Sequence, residues 1–339
     1  MLSGRPLGRT GEQISEIAFG CGNVGGLMIR AEPRERLRAA ERAIELGINY
    51  FDTAAQYGEG ESERNLGRVL SELKPDVLVG TKLRLDADDV AGGHERIELH
   101  LNASLDRLDR NAVDILYYHG RIRNPGQPAG RGGGLTPEQV LGPLLESFQR
   151  FRDQERVRFL AFTGLGDTEA VLEVIAAGAF DLFHCYFSAV NPSAGFPVPA
   201  DFTPQDMRQV IDRAVDAGMN ALAIRILAAG ALGGEADRHP LAGGTGGTLI
   251  TGTDYAADVQ RAERLRPIAG KLGVTLPELA IRFALSKPGI ATALVGFSSM
   301  EQIEAACRAA EAGPLGEDVV GRIVGESVYS ATGQEAAQF

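Results

Sequence analysis

The chain has 339 residues, 44% of them hydrophobic and 23% charged, and its 34 basic and 45 acidic side chains leave a formal net charge of −11. That balance provides a core, and with no Lys/Arg-rich block anywhere it excludes a nucleic-acid partner held by a basic surface. No apolar run approaches the ~20 residues needed to cross a bilayer, and Met1-Leu2-Ser3-Gly4-Arg5-Pro6 lacks an apolar signal core, so a cytoplasmic protein with no membrane partner is expected.

A short N-terminal hairpin is expected around the turn-formers Gly8-Arg9-Thr10-Gly11. Short apolar runs then alternate with longer amphipathic ones. The strands predicted are Ile17–Gly22, Asn49–Thr53, Val77–Lys82, Asp114–His119, Arg158–Thr163, Leu182–Phe187, Ala221–Leu227 and Thr292–Phe297. The helices predicted between them are Glu32–Leu46, Glu61–Leu73, Glu95–Leu108, Pro137–Arg152, Thr168–Ala177, Thr203–Ala217, Tyr255–Leu272 and Ser299–Ala312. Thr136-Pro137-Glu138 and Asp254 are helix-start signals, and Gly47, Gly178, Gly218 and Gly273 follow helix ends, where a left-handed residue is wanted. Alternating strands and helices in this number are the signature of an α/β fold of the (β/α)8 TIM-barrel type, here one domain spanning 1–339. The runner-up is an open doubly wound sheet, to which Gly20-Cys21-Gly22-Asn23-Val24-Gly25 lends a Gly-x-Gly-x-x-Gly string. Pro33 before the next helix argues against that alternative. Two glycine-rich insertions, Asn124–Gly134 and Leu232–Gly252, are long βα loops on the carboxyl face, suited to act as substrate or cofactor flaps.

A parallel barrel gathers the carboxyl ends of its strands into one pocket. Asp52, Lys82 and His119 stand at the ends of three successive predicted strands, and Tyr57 lies just beyond the first of these. Singly, each admits a plain reading: Asp52 as a cap, Tyr57 as a turn aromatic, His119 as a core histidine. Lys82 is harder to explain away, because an unpaired ammonium at the end of an apolar strand is costly to desolvate. Together they suit one carbonyl reaction. A tyrosine donates the proton, an ammonium lowers the tyrosine's pKa, a carboxylate holds the ammonium, and a histidine orients the carbonyl oxygen. The cysteines, Cys21, Cys185 and Cys307, are sparse and have no metal-ligand spacing, and no His-x-His occurs, so no metal is expected.

The segments Gly47–Ala54, Tyr57-Gly58, Ser62-Glu63, Leu66-Gly67, Thr81-Lys82 and Asp114–His119, with Leu7–Gly11 and Leu276–Gly296, resemble the aldo-keto reductase superfamily over nearly the whole chain. The resemblance implies a nicotinamide cofactor lying across the carboxyl face, and Asp52, Tyr57, Lys82 and His119 as the catalytic tetrad. It also implies cofactor contacts. Thr163 and Gly164 stand where the family has serine and asparagine, and His184 stands where it has glutamine. Phe187 takes the place of the aromatic that stacks under the nicotinamide, and Gly230 and Leu232 lie in the loop along the pyrophosphate. Gly296, Phe297, Ser298, Ser299 and Gln302 lead into the last barrel helix. NADP users of the family place basic residues there. This chain has Gly296 and Gln302 instead, with Glu301 and Glu304 nearby, so NAD is favoured over NADP. Arg225, Arg30 and Arg238 are the cations that could reach a phosphate from elsewhere. For Arg225 an internal pairing is favoured over a pyrophosphate contact.

Gly120, where the family often has a bulky or polar residue, suggests an opened pocket with Arg121 as a cationic wall. Thr163–Gly166 and Gly296–Ser299 are similar to the L-galactose and other aldose dehydrogenases of the superfamily. The implied function is hydride transfer between the nicotinamide and an aldehyde, ketone or sugar hemiacetal. The alternative is a nucleotide-binding regulatory subunit of the same fold with little turnover.

Overall fold

The computed structural model describes residues 2–127, 134–234, 238–245, 247 and 249–328. The described residues form ten strands: β1 (Gly4–Pro6), β2 (Gln13–Ser15), β3 (Ile17–Gly20), β4 (Tyr50–Asp52), β5 (Leu78–Leu83), β6 (Val113–Tyr118), β7 (Val157–Gly164), β8 (Leu182–Tyr186), β9 (Asn220–Ile224) and β10 (Ile290–Gly296). β1 and β2 pair as an antiparallel hairpin, while β3 to β10 close in chain order into one barrel of parallel strands. This is the (β/α)8 fold, and no predicted strand end is displaced by more than three residues.

Strand alternation explains why the barrel has two cores. Tyr50, Leu78, Ile115, Tyr117, Ala161, Leu182, Leu222 and Ala291 point inward, and Leu7 and Ile14 of the hairpin join them in the inner cluster. Their neighbours Phe51, Val79, Leu116, Phe162, Phe183 and Ala223 point outward and pack in the larger cluster shared with the helices. The same period carries Asp52, Lys82 and Thr163 inward, above that inner layer.

Several helices depart from the sequence expectation, each for a local reason. The predicted Pro137–Arg152 helix is broken at Gly142-Pro143, because the residue before a proline is driven out of the helical region. The predicted Thr203–Ala217 helix begins only at Val210, since Arg208 and Gln209 are both left-handed. Helices at Leu276–Ser286 and Glu317–Val328 were not predicted as separate elements. β9 ends at Ile224 because Arg225 turns the chain with φ +58°. Residues 128–133 of the first glycine-rich insertion lie outside the described residues, as do 235–237, 246 and 248 of the second.

The Ser62–Gly67 signature is scaffold. Ser62 Oγ donates to the Cys21 carbonyl at 2.9 Å and shares a 2.7 Å bond with Thr53 Oγ1, tying helix Glu61–Leu73 to the strand ends. Glu63 is fully buried and is satisfied by Thr81 Oγ1 and by Arg107 Nε at 2.6 Å. A buried carboxylate stripped of its cation is strongly destabilising. Arg107→Leu should therefore lower the unfolding free energy by about 3 kcal/mol in urea titration, and Glu63→Gln in the same background should recover part of the loss.

Candidate active site

Asp52 and Lys82, each 1% exposed, form an ion pair through Asp52 Oδ1 at the carboxyl end of the barrel. Lys82 Nζ has three hydrogens and three acceptors: Asp52, the Thr53 carbonyl at 2.6 Å, and Tyr57 Oη at 3.4 Å. Tyr57 is placed by a turn in which its N–H reaches the Ala54 carbonyl at 3.1 Å and Ser62 N–H reaches the Tyr57 carbonyl at 3.2 Å. The His119 ring stands edge-on to Tyr57, with centroids 5.8 Å apart. All four residues of the sequence-derived constellation thus meet in one place.

The electrostatics follow from burial and pairing. Burial alone would raise Asp52, but Lys82 and His184 outweigh it and hold the carboxyl down at about 2. Burial would lower Lys82, and Asp52 reverses that and raises it. Tyr57 differs from the sequence expectation: its pKa is raised, because burial outweighs the opposing pull of Lys82. Burial, with Lys82 and His184 nearby, pushes His119 down to about 3, so its imidazole is neutral. Burial likewise lowers His184.

His184 and Thr163 sit side by side in the register of β7 and β8. Thr163 Oγ1 is buried with no hydrogen-bond partner, and His184 Nε2 lies 3.3 Å from Asp52 Oδ2 without the alignment of a hydrogen bond. Two adjacent buried polar atoms with unmet hydrogen-bonding capacity fit the carboxamide of a nicotinamide. Gly164 is explained by packing: a Cβ there would come within 2.8 Å of the Phe183 ring and 3.0 Å of the His184 carbonyl, which leaves no room for an asparagine.

Phe187 is not where a nicotinamide-stacking ring would stand. Alternation along β8 turns His184 and Tyr186 inward and Phe187 outward, where it is fully buried and stacked on Phe283 with centroids 5.3 Å apart. Gly120 does not open the pocket either, since a Cβ there would collide with the Tyr118 hydroxyl. That hydroxyl accepts from Leu135 N–H at 3.1 Å and donates to the Arg121 carbonyl at 3.3 Å.

The loop after β10 packs on the loop after β3. Ser298 Oγ donates to the Gly25 carbonyl at 2.6 Å, Ser298 N–H donates to Gln302 Oε1 at 2.8 Å, and Ser299 caps helix Met300–Glu311. Phe297 is buried edge-on to Phe19, and Gly296 abuts Gly25. After β9, Gly230 is left-handed with φ +105° and Leu232 is buried. Arg225 Nη1 donates to the Thr245 carbonyl at 2.6 Å, Arg30 Nε to that of Leu241 at 2.8 Å, Arg238 Nη2 to that of Gly243 at 2.9 Å, and Arg121 Nη1 to that of Leu249 at 2.9 Å. Arg30, Arg121 and Arg225 thus strap the second glycine-rich loop across the carboxyl face, while Arg238, itself a loop residue, ties Gly243 to the Ala229 carbonyl. Among the described residues no cluster of three or more His, Cys, Asp or Glu side chains could hold a metal ion, and no helix is long and apolar enough to cross a membrane.

The sequence reading missed Tyr50 and Tyr117. Tyr50 Oη donates to Asp52 Oδ2 at 2.9 Å and lies 3.1 Å from Tyr117 Oη, while Tyr117 stacks on His184 with centroids 4.1 Å apart. The signal was available in the alternation, which puts Tyr50 one inward position below Asp52.

A histidine held neutral in the fold makes stability fall on acidification, because the unfolded chain binds the proton first. Stability should therefore drop as pH falls from about 6.5 towards 3, and further as Asp52 is protonated between about 4 and 2. Urea midpoints measured against pH should show this loss, and His119→Gln should flatten the higher window by about one proton.

The family profile described as the aldo/keto reductase family matches residues 16–125 and 190–326. L-galactose dehydrogenase of Arabidopsis thaliana is 26% identical over 309 residues, covering 88% of this chain and 85% of the relative. A probable voltage-gated potassium channel subunit beta of the same plant is 26% identical over 326 residues, 91% of each chain. Among solved structures, an aldo-keto reductase from Bacillus halodurans in its holo form superposes with a TM-score of 0.70 at 21% identity over 96% of both chains. An aldo/keto reductase from Klebsiella pneumoniae in complex with NADP and acetate superposes with a TM-score of 0.65 at 15% identity, covering 94% of this chain and 93% of that one. The chain belongs to the aldo/keto reductase family of oxidoreductases, which use nicotinamide cofactors on small-molecule carbonyl substrates.

Proposed function

We propose that residues 1–339 form one catalytic unit that exchanges hydride between a nicotinamide nucleotide and an aldehyde, ketone or sugar hemiacetal, with Tyr57 as the general acid and base. The observation that carries this reading is the hydrogen-bonded line Asp52–Lys82–Tyr57 ending beside a neutral imidazole. Tyr57 Oη accepts the third hydrogen of Lys82, so its own proton is directed elsewhere, towards a substrate oxygen. In reduction that proton goes to the developing alkoxide. In oxidation the phenolate takes the hydroxyl proton of the substrate, and the Lys82 ammonium stabilises it. A neutral His119 can donate one N–H to the same oxygen and fix the orientation of the carbonyl. The nucleotide, when bound, supplies or accepts the hydride. Thr163 and His184 would hold its carboxamide, and Gly230, Leu232 and the Ser298–Ser299 helix start would face its phosphates.

Oxidation of an aldose such as L-galactose with NAD is the finer reading, supported by the kinship with L-galactose dehydrogenase. The preference for NAD is supported by the commitments of the nearby cations. Arg30 donates to the Leu241 and Asn23 carbonyls, and Arg238 to those of Ala229 and Gly243. Gly296 and Gln302, with Glu301 and Glu304 nearby, would offer a 2′-phosphate no positive charge.

Tyr57→Phe should reduce turnover by about a thousandfold while nucleotide fluorescence titration still shows binding, both with L-galactose and NAD and with p-nitrobenzaldehyde and reduced nucleotide. Undiminished turnover in that variant would remove Tyr57 from the chemistry. Binding by the parent protein without turnover would favour a regulatory subunit. In parallel titrations NADH should bind at least tenfold more tightly than NADPH. The reverse order would overturn the NAD preference and point to Arg30 or Arg238.

A further inference from the structure

Beneath the catalytic residues lies a second polar layer that carbonyl chemistry does not require. Asp52 is an ionised carboxylate, an acceptor only, so Tyr50 must be the donor in their 2.9 Å bond. Tyr50 thereby commits its only hydrogen, and its 3.1 Å bond with Tyr117 can be filled only by the Tyr117 hydrogen. The charge on Asp52 thus fixes every direction in the chain: Tyr117 donates to Tyr50 and Tyr50 to Asp52, while Lys82 donates to Asp52 from the other side and to Tyr57. Both phenols are fully buried, and burial together with the Asp52 charge pushes their pKa values well above the usual range, so they remain donors. The chain also exists by steric permission. A Cβ at position 80 would collide with the Tyr50 hydroxyl, so Gly80, paired with Asp52 in the sheet register, is what lets the phenol reach the carboxylate.

We propose that Tyr50 and Tyr117 are positioning residues that hold Asp52 Oδ2 and, through Lys82, set the proton affinity of Tyr57. The inference rests on the reading of Tyr57 as the proton-transferring group. The groups facing Asp52 are Cys21 just after β3, Tyr50 from its own strand, Tyr57 from the loop after it, Lys82 from β5, Tyr117 from β6, His119 just after β6 and His184 from β8. Those facing Tyr57 are Lys82, Asp52, His119 and Arg225. Removing the Tyr50 hydroxyl takes one donor from the carboxylate, which leaves more uncompensated negative charge beside Tyr57. Asp52 is kept beside Lys82 by their ion pair, so that charge stays close to the phenol, disfavours the phenolate and raises the Tyr57 pKa.

The test is the pH dependence of kcat/KM in whichever direction the full-length enzyme turns over. A higher Tyr57 pKa moves the controlling limb to higher pH for oxidation and for reduction alike. Tyr50→Phe should move it up by about half to one pH unit, and Tyr117→Phe should move it the same way by less. In the Tyr50→Phe background, Tyr117→Phe should add nothing, because the relay is already cut. That non-additivity is a readout a merely structural role would not produce. Arg107→Leu, which weakens the fold away from this layer, should leave the limb in place. Limbs unmoved in Tyr50→Phe and Tyr117→Phe, or two shifts that simply add, overturn the relay. If Tyr50→Phe does not fold, Tyr117→Phe alone decides, since it keeps the Tyr50 bond to Asp52. Retained turnover in Tyr57→Phe would instead overturn the underlying reading, whatever the relay variants do.

Discussion

The constraint from which the rest of the site follows is the burial of the Asp52–Lys82 pair. Two opposite charges taken out of water repay their desolvation only when the remaining hydrogen-bonding capacity of both is filled. Lys82 fills its three positions with Asp52, the Thr53 carbonyl and the Tyr57 hydroxyl, so the phenol proposed for proton transfer is also the third partner of a buried ammonium. Asp52 fills its second oxygen from Tyr50, with His184 beside it. Stability and chemistry therefore share the same atoms, and Tyr57 cannot be moved without leaving an ammonium hydrogen unsatisfied.

The architecture was largely readable from periodicity. Apolar runs of strand length mark every barrel strand, and Asp52, Lys82 and His119 are legible because they interrupt or end those runs. The misreadings have distinct physical sources. Leu276–Ser286 and Glu317–Val328 are helices additional to the one-per-strand repeat, so counting by repeat absorbs or omits them. Phe187 was assigned by neighbouring identity rather than by strand parity, and parity puts it on the outer face. The raised pKa of Tyr57 depends on how closely the barrel mouth surrounds its half-buried ring, which a sequence does not disclose. The Tyr50–Tyr117 contact depends on the register of β4 to β6 across the barrel, which is a property of closure rather than of any segment.

A second theme is the matching of glycines to aromatic groups. Gly80 makes room for the Tyr50 hydroxyl, Gly120 for that of Tyr118, and Gly164 for the Phe183 ring. Each pair exchanges volume between adjacent strands or along one, keeping the packing dense while moving a large group to a new place. The departures from the family pattern at positions 120 and 164 are in this light consequences of their neighbours. The asparagine is missing because Phe183 occupies its space, and the bulky residue after His119 is missing because Tyr118 points its hydroxyl there.

The guanidinium strap on the second glycine-rich loop has its own consequence. Arg30, Arg121, Arg225 and Arg238 all bind main-chain carbonyls of the loop, at Leu241, Leu249, Thr245 and Gly243. Such ties register the path of the backbone rather than the side chains at the tied positions, although Arg238 is itself a residue of the loop. Substitution is limited where the backbone is crowded, since a Cβ at Gly243 would collide with the Asn23 carbonyl and one at Gly252 with that of Thr203. Among the described residues, room to vary what this face accepts lies at positions such as Gly244, where a Cβ would meet nothing, while the crowded glycines hold the course of the loop over the barrel.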